Sequence, residues 1–322
     1  MDRANIKNKS GEDMINWEKG ILEYKKSLDY DLMMNYVDHF SERYSFMSIT
    51  SLGQSLMGRS IPMITLGEGE KSVLYVGTHH GMEWITSVIL LRFINEYCEL
   101  YKSKGRMYNC TADYVFSTRT LYIIPMLNPD GVDYHINGVR ENNILYDRLL
   151  RMNGGSMDFS SWQANGRGVD LNHNYNAGFV EYKKTERELG LFGGAPTRYS
   201  GTSPESEPEV GALCNFLRFN DKISAVLTLH SQGEEIYYSS MGKVCTRSLA
   251  LAKAFSSMSG YALSVPEGSA AYGGLLDWCI CEMDIPAFTF ECGKGKNPLP
   301  IEDEFKIYTD MREVLFKAPN MI

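Results

Sequence analysis

Continuous apolar runs alternate along the chain with stretches whose apolar residues recur at helical spacing. The clearest run is Val73, Leu74, Tyr75 and Val76, which stops at Gly77-Thr78 and is followed at once by His79, His80 and Glu83. Apolar runs bounded by glycine read as strands buried on both faces, the kind that parallel sheets contain. Beyond it Ile85, Val88, Ile89 and Phe93 repeat with the helical period, so a helix follows the strand. Upstream, Leu32, Met33, Tyr36, Val37 and Phe40 predict a helix over residues 30–44. Residues 47–65 alternate through two short runs split by Gly53 and by Gly58-Arg59, which predicts a hairpin.

Residues 121–127 form a second apolar run that ends in the turn Asn128-Pro129-Asp130-Gly131, and Pro125 inside it predicts an interrupted or edge strand. Residues 132–168 are poorly periodic and read as helix plus long loop. Residues 190–202 are rich in Gly, Pro and Ser and predict an exposed loop. Ser203-Pro204-Glu205 then reads as N-cap, first-turn proline and acidic first turn of a helix carrying Val210, Leu213, Cys214 and Leu217. A strand over 223–229 ends on His230 and another over 286–290 ends on Glu291, with helices over 247–258, 275–281 and 302–316. The pattern predicts an α/β domain over residues 46–322, preceded by an arm over 1–45 that is polar at first and helical at its end.

Composition changes the picture mainly by exclusion. Hydrophobic residues make up 43% and charged residues 22% of the 322, as in ordinary globular proteins. A net charge of −8 without a Lys/Arg block argues against nucleic acid or an anionic membrane as partner. No apolar stretch approaches the length that spans a bilayer. The polar N-terminus lacks the apolar segment of a secretion signal, so a cytoplasmic address is expected. Seven scattered cysteines fit buried thiols in a reducing compartment better than a disulfide framework.

The candidate chemistry sits at the strand ends. Three apolar runs terminate on His80/Glu83, His230 and Glu291, and in a mostly parallel sheet all three ends face the same edge. A histidine and a glutamate three residues apart, with one distant histidine, make the His₂Glu set of catalytic zinc. By geometry alone either His79 or His80 fits; the three-residue step to Glu83 favours His80. A carboxylate that is not a ligand is then required to take a proton from water and pass it to the leaving amine, and Glu291 is the candidate. The plain alternative for Glu291 is pairing with Lys294 or Lys296. Asp170 is placed to orient one ligand histidine through its second ring nitrogen.

The segments G-T-H-H-G-M-E-W, N-P-D-G, G-V-D-L-N-H-N-Y-N-A-G-F, L-H-S and F-T-F-E, in that order, resemble the zinc carboxypeptidase family over about residues 47–317. The resemblance implies one zinc ion per chain held by His80, Glu83 and His230, with Glu291 as general base and acid. It also implies a mixed, mostly parallel eight-stranded sheet with helices on both faces.

Departures from the family pattern bear on substrate. Family exopeptidases clamp the substrate's terminal carboxylate with an arginine directly after the Asn of G-V-D-x-N, where this chain has His173 after Asn172. A neutral imidazole cannot hold a carboxylate as a guanidinium fork does. Met82 stands where the family has arginine in H-x-R-E, and Trp162 is followed by Gln163 in place of the oxyanion arginine, for which Arg167 is the nearby substitute. Ser269 replaces the family's mobile tyrosine, although Tyr272 directly precedes Gly273-Gly274. With W-Q-A-N-G-R-G-V-D-L-N, H-S-Q-G-E-E-I-Y and G-K-G-K-N-P-L-P, these departures resemble bacterial γ-D-glutamyl-L-diamino acid endopeptidases. The expected substrate is then a peptidoglycan stem peptide (a muropeptide) cut between γ-D-Glu and diaminopimelate or Lys, with Asn172, His173, Tyr272 and Arg167 as substrate contacts. The rivals are a carboxypeptidase with a relocated clamp, a zinc amidase or deacylase on N-acyl amino acids, and a zinc-bearing binding protein without turnover.

Overall fold

The computed structural model describes residues 27–322. Helix α1 (Tyr30–Arg43) opens it, capped by the Asp29 side chain, which accepts from the Leu32 N–H. Met33, Tyr36, Val37 and Phe40 of α1 enter the same core as the central sheet. The described part of the expected arm is thus packed against the body; residues 1–26 lie outside the described residues.

The expected hairpin is β1 (Ser48–Gln54) with β2 (Ser60–Leu66), its register slipping between Ser51 and Gly53. Then follow β3 (Lys71–Gly77), α2 (Ile85–Lys102), α3 (Ala112–Thr118) and β4 (Arg119–Ile124). Helices α4 (Pro129–Asn137), α5 (Tyr146–Met152), α6 (Phe179–Glu188) and α7 (Pro208–Arg218) precede β5 (Ile223–His230). The chain closes through β6 (Glu235–Tyr237), α8 (Ser248–Ser259), β7 (Ala262–Ser264), α9 (Leu275–Cys281), β8 (Ala287–Glu291) and α10 (Glu304–Met321).

These eight strands form one sheet in the order β1-β2-β4-β3-β5-β8-β6-β7. The pairs β4–β3, β3–β5, β5–β8 and β6–β7 are parallel, and the remaining three antiparallel. The central strands are apolar on both faces because both are covered. Val73 and Tyr75 point into one core with α2, α8 and α10, and Leu74 and Val76 into a second with α7 and α9.

Of the two readings of Pro125, the interruption holds and the edge does not: β4 lies between β2 and β3 and stops at Ile124, and the chain resumes bonding to the end of β3 with Leu127 N–H to Gly77 O and Asn128 N–H to Thr78 O. Another expectation needs correction. Helix α7 starts on Glu207-Pro208 and not on Ser203-Pro204. Both prolines suit a first turn, but Glu205 is held at φ 55 with its N–H on the Asn174 carbonyl, which rules out a helix there.

Candidate metal centre

The site forms where β3, β5 and β8 end side by side. Gly77 is the register partner of Leu229, and His230 that of Glu291, so His80, His230 and Glu291 emerge at one edge. The turn out of β3 is tight. Thr78 takes φ 55, a region that a β-branched residue rarely adopts, and its neighbours hold it there. Its N–H donates to Thr86 Oγ1, its hydroxyl lies 2.7 Å from Ser87 Oγ, and Thr86 Oγ1 in turn donates to the Glu83 carbonyl. Gly81 follows because any side chain there would strike the backbone of Gly131 on α4, 2.3 Å from an added Cβ.

His80 Nδ1 lies 2.9 Å from Glu83 Oε1, and His230 Nδ1 lies 3.1 Å from Glu83 Oε2. The ligand-capable atoms of the three residues fall within 4.8 Å of one another. His79, which the spacing to Glu83 disfavoured, turns away: its Nε2 meets the Tyr175 hydroxyl at 3.0 Å and its ring stacks on His230. Asp170 sits behind His80, with Oδ1 3.0 Å from His80 Nε2 and Oδ2 accepting from the Arg198 N–H.

Burial works against the charge on His80, yet the carboxylates of Glu83 and Asp170 outweigh it and hold its pKa well above the usual imidazole value. Burial likewise opposes charge on Glu83 and Asp170, and the imidazoles facing them outweigh it, His80 most, so both carboxyls stay below the usual range. Two ring nitrogens and a carboxylate thus converge on one point, with a further carboxylate fixing one ring from outside. That donor set and that support fit a zinc ion.

Beside these residues opens a cavity of about 180 Å³ that Glu291 also lines. Burial, then the charge of Glu83, pushes the Glu291 carboxyl up to about 8, and its side chain makes no hydrogen bond among the described residues. Asn172 and His173 line the same cavity. Asn172 Oδ1 accepts from the Leu275 N–H at the start of α9. His173 stacks on Tyr182 with ring centroids 3.8 Å apart, and its Nδ1 lies 2.9 Å from the Tyr272 carbonyl. Burial lowers its pKa, so the ring is neutral.

Two expected substrate contacts fall outside the lining. The Arg167 guanidinium points to Glu207, 3.3 Å away. Tyr272 lays its ring against Gly178, and it serves His173 through its carbonyl. The cavity gains instead Gln163, Thr197, Arg198, Leu276 and Asp277. Gln163 was visible in the sequence only as a departure. Thr197 and Arg198 lie in the stretch expected to be an exposed loop, which holds only in part: Phe192 and Arg198 are exposed, but Ala195, Tyr199 and Ser200 are buried. Ser200 gives both its N–H and its hydroxyl to Glu186, a bond that spacing does not announce.

A sequence profile described as zinc carboxypeptidase matches residues 33–312. The chain is 34% identical over 287 residues to γ-D-glutamyl-L-diamino acid endopeptidase 1 of Lysinibacillus sphaericus, covering 89% of this chain and 70% of that protein. It is 32% identical over 302 residues to the uncharacterised protein YqgT of Bacillus subtilis (strain 168), covering 92% and 78%. Among solved structures, thrombin-activatable fibrinolysis inhibitor shares the fold with a TM-score of 0.68 at 22% identity, over 91% of this chain and 73% of that one. Carboxypeptidase A of Helicoverpa armigera does so at 0.66 and 17%, over 94% and 75%.

Proposed function

The chain belongs to the zinc carboxypeptidase family, and from that premise we propose that it hydrolyses the bond between γ-D-Glu and diaminopimelate, or Lys, in peptidoglycan stem peptides. The observation that carries this reading is the residue after Asn172, a neutral buried imidazole pinned between Tyr182 and the Tyr272 carbonyl. It offers no fork to a terminal carboxylate. The relative named as a γ-D-glutamyl-L-diamino acid endopeptidase supports the same substrate class.

His80, Glu83 and His230 would hold the zinc, and Asp170 would fix the tautomer and orientation of His80. Bound there, zinc polarises a scissile carbonyl and acidifies water. Glu291, without a hydrogen bond among the described residues at the cavity wall, would in its ionised form take the proton of the attacking water and deliver it to the leaving amine. Asn172 and the Gln163 amide line the cavity as neutral donors for the substrate backbone and the developing oxyanion.

The test is mass spectrometry of L-Ala-γ-D-Glu-meso-diaminopimelate incubated with zinc-loaded protein, beside a Glu291→Gln control and ordinary peptides ending in free carboxylates. Release of diaminopimelate by the wild type alone is expected. Cleavage of the ordinary peptides instead would replace this reading with a carboxypeptidase whose clamp has moved.

A further inference from the structure

The cavity wall carries carboxylates from Glu83, Asp170, Asp277 and Glu291, and among the described residues that line it Arg198 is the one arginine or lysine. Nearby arginines are committed elsewhere. Arg59 is paired with Asp130 and Asp133, Arg167 with Glu207, and Arg218 with Glu205, while Arg148 donates to the Arg167 and Gly193 carbonyls. The Arg198 side chain is exposed at the rim and makes no ion pair among the described residues.

Its backbone, in contrast, is fixed on every side. Arg198 adopts φ 62, a conformation disfavoured for any side chain that carries a Cβ. The Arg198 N–H donates to Asp170 Oδ2, the same carboxylate that steadies His80, and the Arg198 carbonyl accepts from the Tyr182 hydroxyl, whose ring stacks on His173. The flanking chain is stitched to the 163–170 segment: Gln163 and Ala164 N–H groups donate to Pro196 O, Ala195 N–H to Gly168 O, and Asp170 N–H to Tyr199 O. A free guanidinium on a pinned backbone, at the mouth of an otherwise acidic cavity, is arranged for an anionic ligand.

We propose that Arg198 recognises a carboxylate carried by the substrate beside the scissile amide. A γ-D-glutamyl peptide offers two sources, the α-carboxylate of the D-Glu residue and the carboxylates of the diamino acid. This inference rests on the function proposed above for its choice of substrate, and the experiment separates the two.

Binding is read by calorimetry with zinc-loaded Glu291→Gln protein, so that nothing turns over. The probes are L-Ala-γ-D-Glu-meso-diaminopimelate, its D-isoglutamine counterpart lacking the D-Glu α-carboxylate, its C-terminal amide, and benzoyl-Gly-Phe with and without a free carboxylate. Adding Arg198→Gln should weaken binding of the preferred acid about 10- to 100-fold and leave the matching amide nearly unchanged. Arg198→Lys should fall between, as a point charge without the fork. The amide that loses affinity in the parent protein identifies which carboxylate is held. Equal affinity of parent and Arg198→Gln for the acids, or equal loss for acid and amide, overturns the inference. Cleavage of the γ-glutamyl peptide by the wild type judges the function separately, and absence of binding by every probe overturns both.

Discussion

The protein buries two groups of carboxylates, and they differ in what compensates the charge. At the strand ends, Glu83 and Asp170 face the imidazoles of His80 and His230, beside an open cavity. In the second group, Asp130, Glu207 and Glu209 gather around Asn165 and the turn at 55–59. There backbone and fixed side chains supply the donors. Asp130 accepts from Ser55, Met57 and Arg59, Glu207 from Asn165, Ser206 and Arg167, and Glu209 from the Leu56 N–H and Asn165. The second group ties loops together and, among the described residues, leaves no ligand-capable atoms converging on a common point. Buried acids alone therefore do not mark a functional site; convergent donors that can exchange a proton for a metal, next to a cavity, do.

The comparison predicts opposite responses to mutation. The largest effect is expected from Glu83→Gln or His80→Ala: zinc content, measured by plasma mass spectrometry after gel filtration, should fall far below one per chain and hydrolysis should be lost with it. Retention of stoichiometric zinc in either variant would break the distinction. Asp170→Asn should keep zinc but weaken its affinity about 10- to 100-fold in a competition titration with a chelator, as expected for a residue that orients a ligand.

In the second group the readout moves from metal to stability. Burial raises Glu209 from 4.5 to about 7, so between those values the folded state holds a proton that the unfolded state has released. Stability from this group is then fully present below pH 4.5 and declines as pH rises through 7, by about 3 kcal/mol in all. Glu209→Gln should flatten the urea-unfolding profile between pH 5 and 8 and leave zinc affinity alone; an unchanged pH slope would mean that Glu209 is charged when folded. The smallest effect on turnover is expected from Arg167→Ala, which removes the partner of Glu207 and should lower the melting temperature while kcat stays within about twofold. A loss of kcat near 100-fold would instead place Arg167 among the groups that stabilise the transition state.

What the sequence disclosed follows the same division. Strands buried on both faces must be apolar throughout, so His80, His230 and Glu291 at their ends stood out, and the three-residue step to Glu83 supplied the ligand set. Strand-end geometry left both His79 and His80 open and the three-residue step to Glu83 favoured His80; the fold adds the reason, since the His79 ring meets Tyr175. Arg198 was hidden for a physical reason: Gly, Pro and Ser report the backbone conformations of residues 190–202, not whether tertiary bonds cover them. Arg167, two residues past Asn165, looked close to the chemistry in the sequence, and only the position of Glu207 shows where its guanidinium goes. The same holds for Pro204 and Pro208, which read alike until Glu205 meets the Asn174 carbonyl.

The central claim, that His80, Glu83 and His230 hold a zinc ion beside Glu291, is tested most directly by anomalous diffraction recorded on both sides of the zinc absorption edge. Crystals of the zinc-loaded protein should show one strong peak within bonding distance of His80 Nδ1, His230 Nδ1 and the Glu83 carboxylate, with Glu291 outside that shell. A peak ligated by other residues, or none at this point in protein that carries zinc, would contradict the account.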